Sequence, residues 1–209
     1  MGIIVAIGGM KNEIEDVRKI CKTIVNQANK VKPRLLYIPT ANSDHEEYSK
    51  YMAKFFEENY SCDVDILWLI KQSTSIDKIK EKIGKADIVF VEGGNLLSLL
   101  ETWKKYGVDY MLKQAYEKGT IMSGISAGAN CWFEQSFSDS VKGKEFDFVK
   151  GLGLAKGCIC PHYNNKRRRE CFNIAIKERK DISNIILGIE EDNAVIIKDN
   201  KTQIISEDD

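Results

Sequence analysis

Residues 120–133 read TIMSGISAGANCWF, and within them Ser126 has glycine two places before it and two places after. A run of β-type residues precedes it and a helical pattern follows. That context suits a nucleophile elbow, a strained strand-to-helix corner that tolerates only small neighbours; here they are Gly124, Ala127, Gly128 and Ala129. The plainer reading is a serine capping an ordinary helix. A serine hydroxyl is inert until a base takes its proton, and the chain has two histidines. His45, in SDHEEY, opens a polar helix and is expected at the surface. His162 follows the apolar run GCIC and Pro161 at an expected strand end, which makes it the candidate base. An imidazole in that role needs an acid to fix its tautomer. Glu134, Asp139, Glu145 and Asp147 lie between Ser126 and His162. Asp139, in FSDS, sits where the chain can turn back toward the serine, whereas Glu134 is expected on the helix facing solvent; spacing alone leaves both open. An oxyanion needs preorganised donors. The N–H of Ala127 is one candidate, and Gly93 or Gly94 the other, since glycine lets backbone approach a substrate closely. The same EGGN segment also reads as a turn into a helix capped by Asn95.

These groups need a scaffold that gathers them, and the hydropathy pattern describes one. GIIVAIGG, RLLYIP, VDILWLI, ADIVFVEGG and TIMSGIS are short apolar runs of the kind buried on both faces of a sheet. Helical patterns lie between them, with expected starts at Asn12/Glu15, Ser43/Glu46 and Ser75. Repeated strand-then-helix units predict an α/β fold with a mostly parallel sheet flanked by helices. In such sheets ligands bind beyond the carboxyl ends of the strands, where Gly8-Gly9, Thr40-Ala41-Asn42, Gly93-Gly94-Asn95 and Ser126 fall. AGANCWFEQS is expected to start a helix. NIILGIEEDNAVIIKDNKTQIIS holds three β-type runs parted by turn signals, and predicts a small C-terminal antiparallel meander at one sheet edge. No linker or repeat interrupts the pattern, so residues 1–209 are expected to form one domain.

The 209 residues carry 31 basic and 31 acidic side chains, a balance that argues against nucleic acid or an anionic membrane as partner. No apolar run approaches the roughly 20 residues of a membrane span, and the N-terminus lacks the basic flank of a signal peptide. Six irregularly spaced cysteines read as buried thiols. A cytoplasmic protein is expected, monomeric or homodimeric. Cys158, Cys160, His162 and Cys171 lack the usual spacing of a zinc site, so neither a metal nor a cofactor is expected.

SGISAGANCWF, VEGGN, SDS and CPHYNN, with LLYIPTANSD in support, together resemble the peptidase E family of serine peptidases, which includes aspartyl dipeptidases and cyanophycinases. The resemblance covers roughly residues 1–200. It implies a flavodoxin-like α/β fold related to the class I glutamine amidotransferases, and a Ser-His-acid triad without metal. It places the nucleophile on Ser126, the base on His162 and the acid on Asp139, with the loop of Gly93 and Gly94 supplying one oxyanion donor. The implied activity is hydrolysis of short peptides after an N-terminal aspartate. An arginine beyond the histidine holds that aspartate side chain; Arg169 fits best, Arg168 next, then Arg167, with Asn95 a further substrate-binding candidate. The chain departs from the family pattern twice. Glu92 stands where relatives often have a third glycine, so its side chain can narrow the cleft or meet a substrate amine. The gap from Ser126 to Asp139 is also short for the family. Two rival readings are the same triad acting on a β-aspartyl or isopeptide bond, and a non-catalytic scaffold that keeps the elbow.

Overall fold

The computed structural model describes residues 2–72, 74–182, 185–199 and 201–207. Strand β1 (Ile4–Ile7) is followed by a 3-10 turn and α1 (Arg18–Gln27), then β2 (Arg34–Ile38), α2 (Glu46–Tyr60), β3 (Asp63–Ile66), α3 (Ile76–Lys85) and β4 (Ile88–Val91). Two helices, α4 (Leu96–Tyr106) and α5 (Val108–Glu117), lead to β5 (Ile121–Ile125) and the single turn α6 (Ala127–Asn130). The second half holds β6 (Phe133–Ser138), β7 (Asp147–Val149), β8 (Ala155–Pro161), α7 (Lys166–Ala175), β9 (Ile186–Ile189), β10 (Asn193–Lys198) and β11 (Lys201–Ser206).

The main sheet runs β11-β10-β1-β5-β4-β2-β3. Its pairs from β1 to β3 are parallel, and β10 and β11 pair antiparallel at one edge. Strand residues alternate between two cores because successive side chains point to opposite faces. Ile4, Ala6, Val89 and Val91 pack with α3, α4 and α5 through Ile79, Leu99, Trp103 and Leu112. Val5, Ile7, Ile88 and Phe90 pack with α1 and α2 through Ile20, Ile24, Met52 and Phe56. Both faces are thus covered, which is why these strands read as unbroken apolar runs.

A second sheet, ordered β7-β6-β8-β9, lies outside the sequence expectation. AGANCWFEQS does not continue as a helix. Four residues form α6, and Phe133–Ser138 becomes β6, paired with β7 and β8. A one-turn helix gains little from propagation, while a buried strand gains a ladder on both sides. The C-terminal meander is also revised: β9 joins β8 in parallel in the second sheet, and β10 and β11 alone form the antiparallel edge.

Two expected helix starts shift. Glu13 and Asp16, rather than Asn12 and Glu15, form the reciprocal cap of the first turn. His45 rather than Ser43 caps α2, its Nδ1 accepting from the Tyr48 amide at 3.3 Å. Ser75 does cap α3. Among the described residues, no helix is long and apolar enough to cross a membrane.

Candidate active site

Ser126 follows β5 at the carboxyl edge of the main sheet, with φ 53° and ψ −109°. A non-glycine residue held there costs on the order of 1–3 kcal/mol, so the surroundings must enforce it. The Ser126 amide donates to Ile7 O of β1 at 3.0 Å, and its carbonyl accepts from Ala129 and Asn130. The glycines at either side are forced by contact. A methyl on Gly128 would meet Val91 O at 2.1 Å, and one on Gly124 would meet Gly128 O at 2.4 Å. The G-x-S-x-G spacing therefore lets the corner fold tightly under β4 and β5. Because α6 is one turn long, first-turn amides rather than a long helix dipole offer positive charge near the hydroxyl.

His162 arrives from the second sheet, immediately after β8. Its amide donates to Gly8 O at 3.0 Å, tying the end of β8 to the end of β1. Gly9 makes room for the ring: a methyl there would lie 2.6 Å from the imidazole. In this position His162 Nε2 is 2.8 Å from Ser126 Oγ. On its other side, Nδ1 is 2.9 Å from Glu191 Oε1. The parallel pairing of β8 with β9 aligns Pro161 with Ile189, so the residues just beyond the two strands, His162 and Glu191, meet. Asn164 donates to the other carboxylate oxygen, Glu191 Oε2, at 2.9 Å. Burial works to raise the Glu191 pKa, but the hydrogen bonds from Asn164 and His162, and the nearby cationic charge, hold it below the ordinary carboxylate value. An ionised Glu191 at Nδ1 selects the tautomer with its proton on Nδ1, leaving Nε2 free to accept the Ser126 proton.

Asp139 does not reach His162. Its carboxylate accepts from Arg168 Nη2 at 2.6 Å, and Arg168, buried, stacks over Phe146 with its guanidinium carbon 4.8 Å from the ring centre. These two expected site residues therefore satisfy each other. Glu134 is exposed on β6, near the Gly157 amide. Arg167 pairs with Glu145 at 2.7 Å. Arg169 is half-buried over the ring of Tyr163, the residue next to His162, and among the described residues it makes no ion pair. Asn95 caps α4, its Oδ1 accepting from the Ser98 amide at 2.9 Å, so its side-chain oxygen is already occupied. Cys158 and Cys160 pack against Phe137 and Phe172 in a small core beneath the second sheet.

The loop after β4 passes beside the serine. A methyl on Gly93 would sit 3.5 Å from Ser126 Cβ, and one on Gly94, at φ 137°, would strike Ala41 O at 2.2 Å. Among the described residues, loop hydrogen bonds engage the amides of Glu92, Asn95 and Ser126, but not those of Gly93, Gly94 and Ala127. Ser126, His162 and Gly93 are among the residues that line a cavity of about 490 Å³. Its walls are largely aromatic and aliphatic, from Tyr37, Tyr48, Tyr51, Phe90 and Ile125 among others; Glu13 and Glu92 contribute carboxylates, and among the described residues no lysine or arginine lines it.

The family model of peptidase family S51 matches residues 3–205. The chain is a peptidase of family S51. It is 34% identical over 178 residues to the uncharacterized peptidase YgaJ of Bacillus subtilis, covering 84% of this chain and 75% of that one. It is 31% identical over 134 residues to the uncharacterized peptidase Lin0382 of Listeria innocua, covering 62% of this chain and 64% of the relative. Among solved structures, a Listeria monocytogenes EGD-e protein assigned to peptidase E superposes with a TM-score of 0.73 at 20% identity, over 99% of this chain and 98% of its own. A peptidase from an acI-B1 Actinobacterium superposes with a TM-score of 0.77 at 18% identity, over 99% and 88%. At those identities the superpositions speak for the fold.

In this S51 peptidase, the residue that sequence reasoning missed is Glu191. It lies in the EEDN turn, 29 positions beyond His162 and so outside the stretch between Ser126 and His162. One signal was available: that turn follows an apolar run ending in Ile189, just as His162 follows one ending in Pro161. Pairing those two runs side by side is what brings the carboxylate to the imidazole.

Proposed function

We propose that this S51 peptidase is a serine exopeptidase acting on short peptides, with Ser126 as nucleophile, His162 as general base and Glu191 as the acid that orients it. The observation that carries this reading is the continuous chain Ser126 Oγ–His162 Nε2, His162 Nδ1–Glu191, at 2.8 and 2.9 Å. Ser126 Oγ attacks the scissile carbonyl as its proton passes to Nε2. The tetrahedral oxyanion takes hydrogen bonds from the amides of Gly93 or Gly94 and Ala127. Nε2 then delivers the proton to the leaving amine, the C–N bond breaks and an acyl-serine ester remains. Water, deprotonated by the same nitrogen, hydrolyses the ester and restores the hydroxyl.

For specificity, release of an N-terminal aspartate is the favoured reading. Arg169 supports it: of the three consecutive arginines it alone has no carboxylate partner among the described residues, and it lies over the neighbour of His162. A planar guanidinium binds a carboxylate through two parallel hydrogen bonds. A dipeptide-library digest with wild type and Ser126→Ala tests both levels. Asp-X peptides are expected to be cleaved by the wild type alone, and a fluorophosphonate to label Ser126. Arg169→Ala is expected to reduce turnover of Asp-X more than of neutral peptides; equal losses on both classes remove Arg169 from the specificity role.

A further inference from the structure

The cavity beside Ser126 contains a group that proton transfer to and from the serine does not use. Glu92 follows β4 and is 5% exposed. Its Oε1 accepts from Asn42 Nδ2 at 2.6 Å. Tyr37 lies beside the same carboxyl. Yet among the described residues neither Glu92 Oε2 nor the fully buried Tyr37 hydroxyl has a hydrogen-bond partner of good geometry. Both residues form part of the cavity wall, as do Tyr48 and Tyr51, with Glu13 also contributing. A buried carboxylate short of partners is costly, and a complementary cation relieves that cost. The apolar and aromatic walls suit the hydrocarbon body of such a ligand and the face of its charge. An anionic group would meet the carboxylates of Glu13 and Glu92 there and, among the described residues, no lysine or arginine.

We propose that this cavity is a substrate subsite that binds a positively charged group of the acyl-side residue, an ammonium or a guanidinium, on Glu92 with Tyr37. The proposal rests on the reading of Ser126 as the nucleophile, because that reading makes the cavity a neighbour of the scissile bond. The cation has two sources, the free α-ammonium of an N-terminal residue or a basic side chain. For an N-terminal aspartate, the α-ammonium would occupy this subsite while the β-carboxylate meets Arg169, so that one residue is read by opposite charges on two sides.

Binding is tested on the full chain carrying Ser126→Ala, by calorimetry with two matched pairs of probes. Aspartyl amide against N-acetyl-aspartyl amide reports the α-ammonium. N-acetyl-lysinamide against N-acetyl-norleucinamide reports a basic side chain. In at least one pair the cationic member is expected to bind about 10-fold or more tighter. Adding Glu92→Gln is expected to erase most of that ratio, and Tyr37→Phe to reduce it. Ratios near unity in both pairs, ratios unchanged by Glu92→Gln, or no binding of any probe at millimolar concentration each overturn the proposal. Fluorophosphonate labelling and turnover by the wild-type protein separate this from failure of the parent reading. Charge-selective binding without labelling or turnover sinks the nucleophile assignment and leaves the subsite. Turnover without charge selectivity sinks the subsite alone.

Discussion

Exchanging the Glu92 carboxyl for an amide of the same shape makes a quantitative test of how that side chain is buried. Burial is the main force pushing the Glu92 pKa from 4.5 up to about 7; the neighbouring Tyr37 hydroxyl and the hydrogen bond from Asn42 oppose it, and the charge of Asp44 adds to it. A carboxyl whose pKa is higher in the fold than in the unfolded chain stabilises the fold while protonated. That contribution is complete below about pH 4.5 and is lost as pH rises through about 7. The rise of 2.5 units, 7 less 4.5, corresponds to about 3 kcal/mol at 1.36 kcal/mol per unit, with roughly 2 kcal/mol already lost by pH 6. Glu92→Gln does not titrate, and its amide can accept from Asn42 and donate to the Tyr37 hydroxyl. The variant's stability relative to wild type is therefore expected to rise by about 2.5 kcal/mol between roughly pH 5 and pH 8, or about 5–10 °C in Tm for a chain of this size. Urea unfolding of both proteins across that range, with m-values compared, measures it. A stability difference that stays flat with pH, or that moves toward the wild type at high pH, would refute the argument that Glu92 is a poorly compensated buried carboxyl.

Glu191→Gln should keep the fold but present an amide to His162 Nδ1 and disturb its tautomer, lowering kcat by about 10²–10⁴ with a smaller change in KM; single-turnover kinetics on a cleaved dipeptide would show it. Asp139→Asn should leave kcat within a few-fold of wild type and cost about 1 kcal/mol of stability by weakening the Arg168 pair, read by urea unfolding; a thousand-fold loss of kcat would return Asp139 to the catalytic machinery. Gly9→Ala places a methyl 2.6 Å from the imidazole, so it should displace His162 and slow fluorophosphonate labelling of Ser126 at least ten-fold while the far-UV circular dichroism is unchanged. Unaltered labelling would show that the ring has room to move.

By itself, the sequence determined the strands with two buried faces and the corner they serve. Ile4–Ile7, Ile88–Val91 and Ile121–Ile125 are unbroken apolar runs because helices cover both sides of the sheet. The glycines around Ser126 are legible because the tight corner imposes its needs within a few residues of chain. His162 was legible by elimination, since the only other histidine opens a polar helix. Tertiary structure decided what depends on pairing between distant segments. Phe133–Ser138 has helix-compatible residues, and its strand form follows from lying between β7 and β8. Asp139 and Arg168 looked like separate site residues until folding paired them with each other. Glu191 reached His162 because β9 left the expected meander to lie parallel to β8. The physical reason is that local sequence governs backbone preference and burial pattern, whereas the partner of a charged side chain is set by strand register, and register is settled only when the two edges meet.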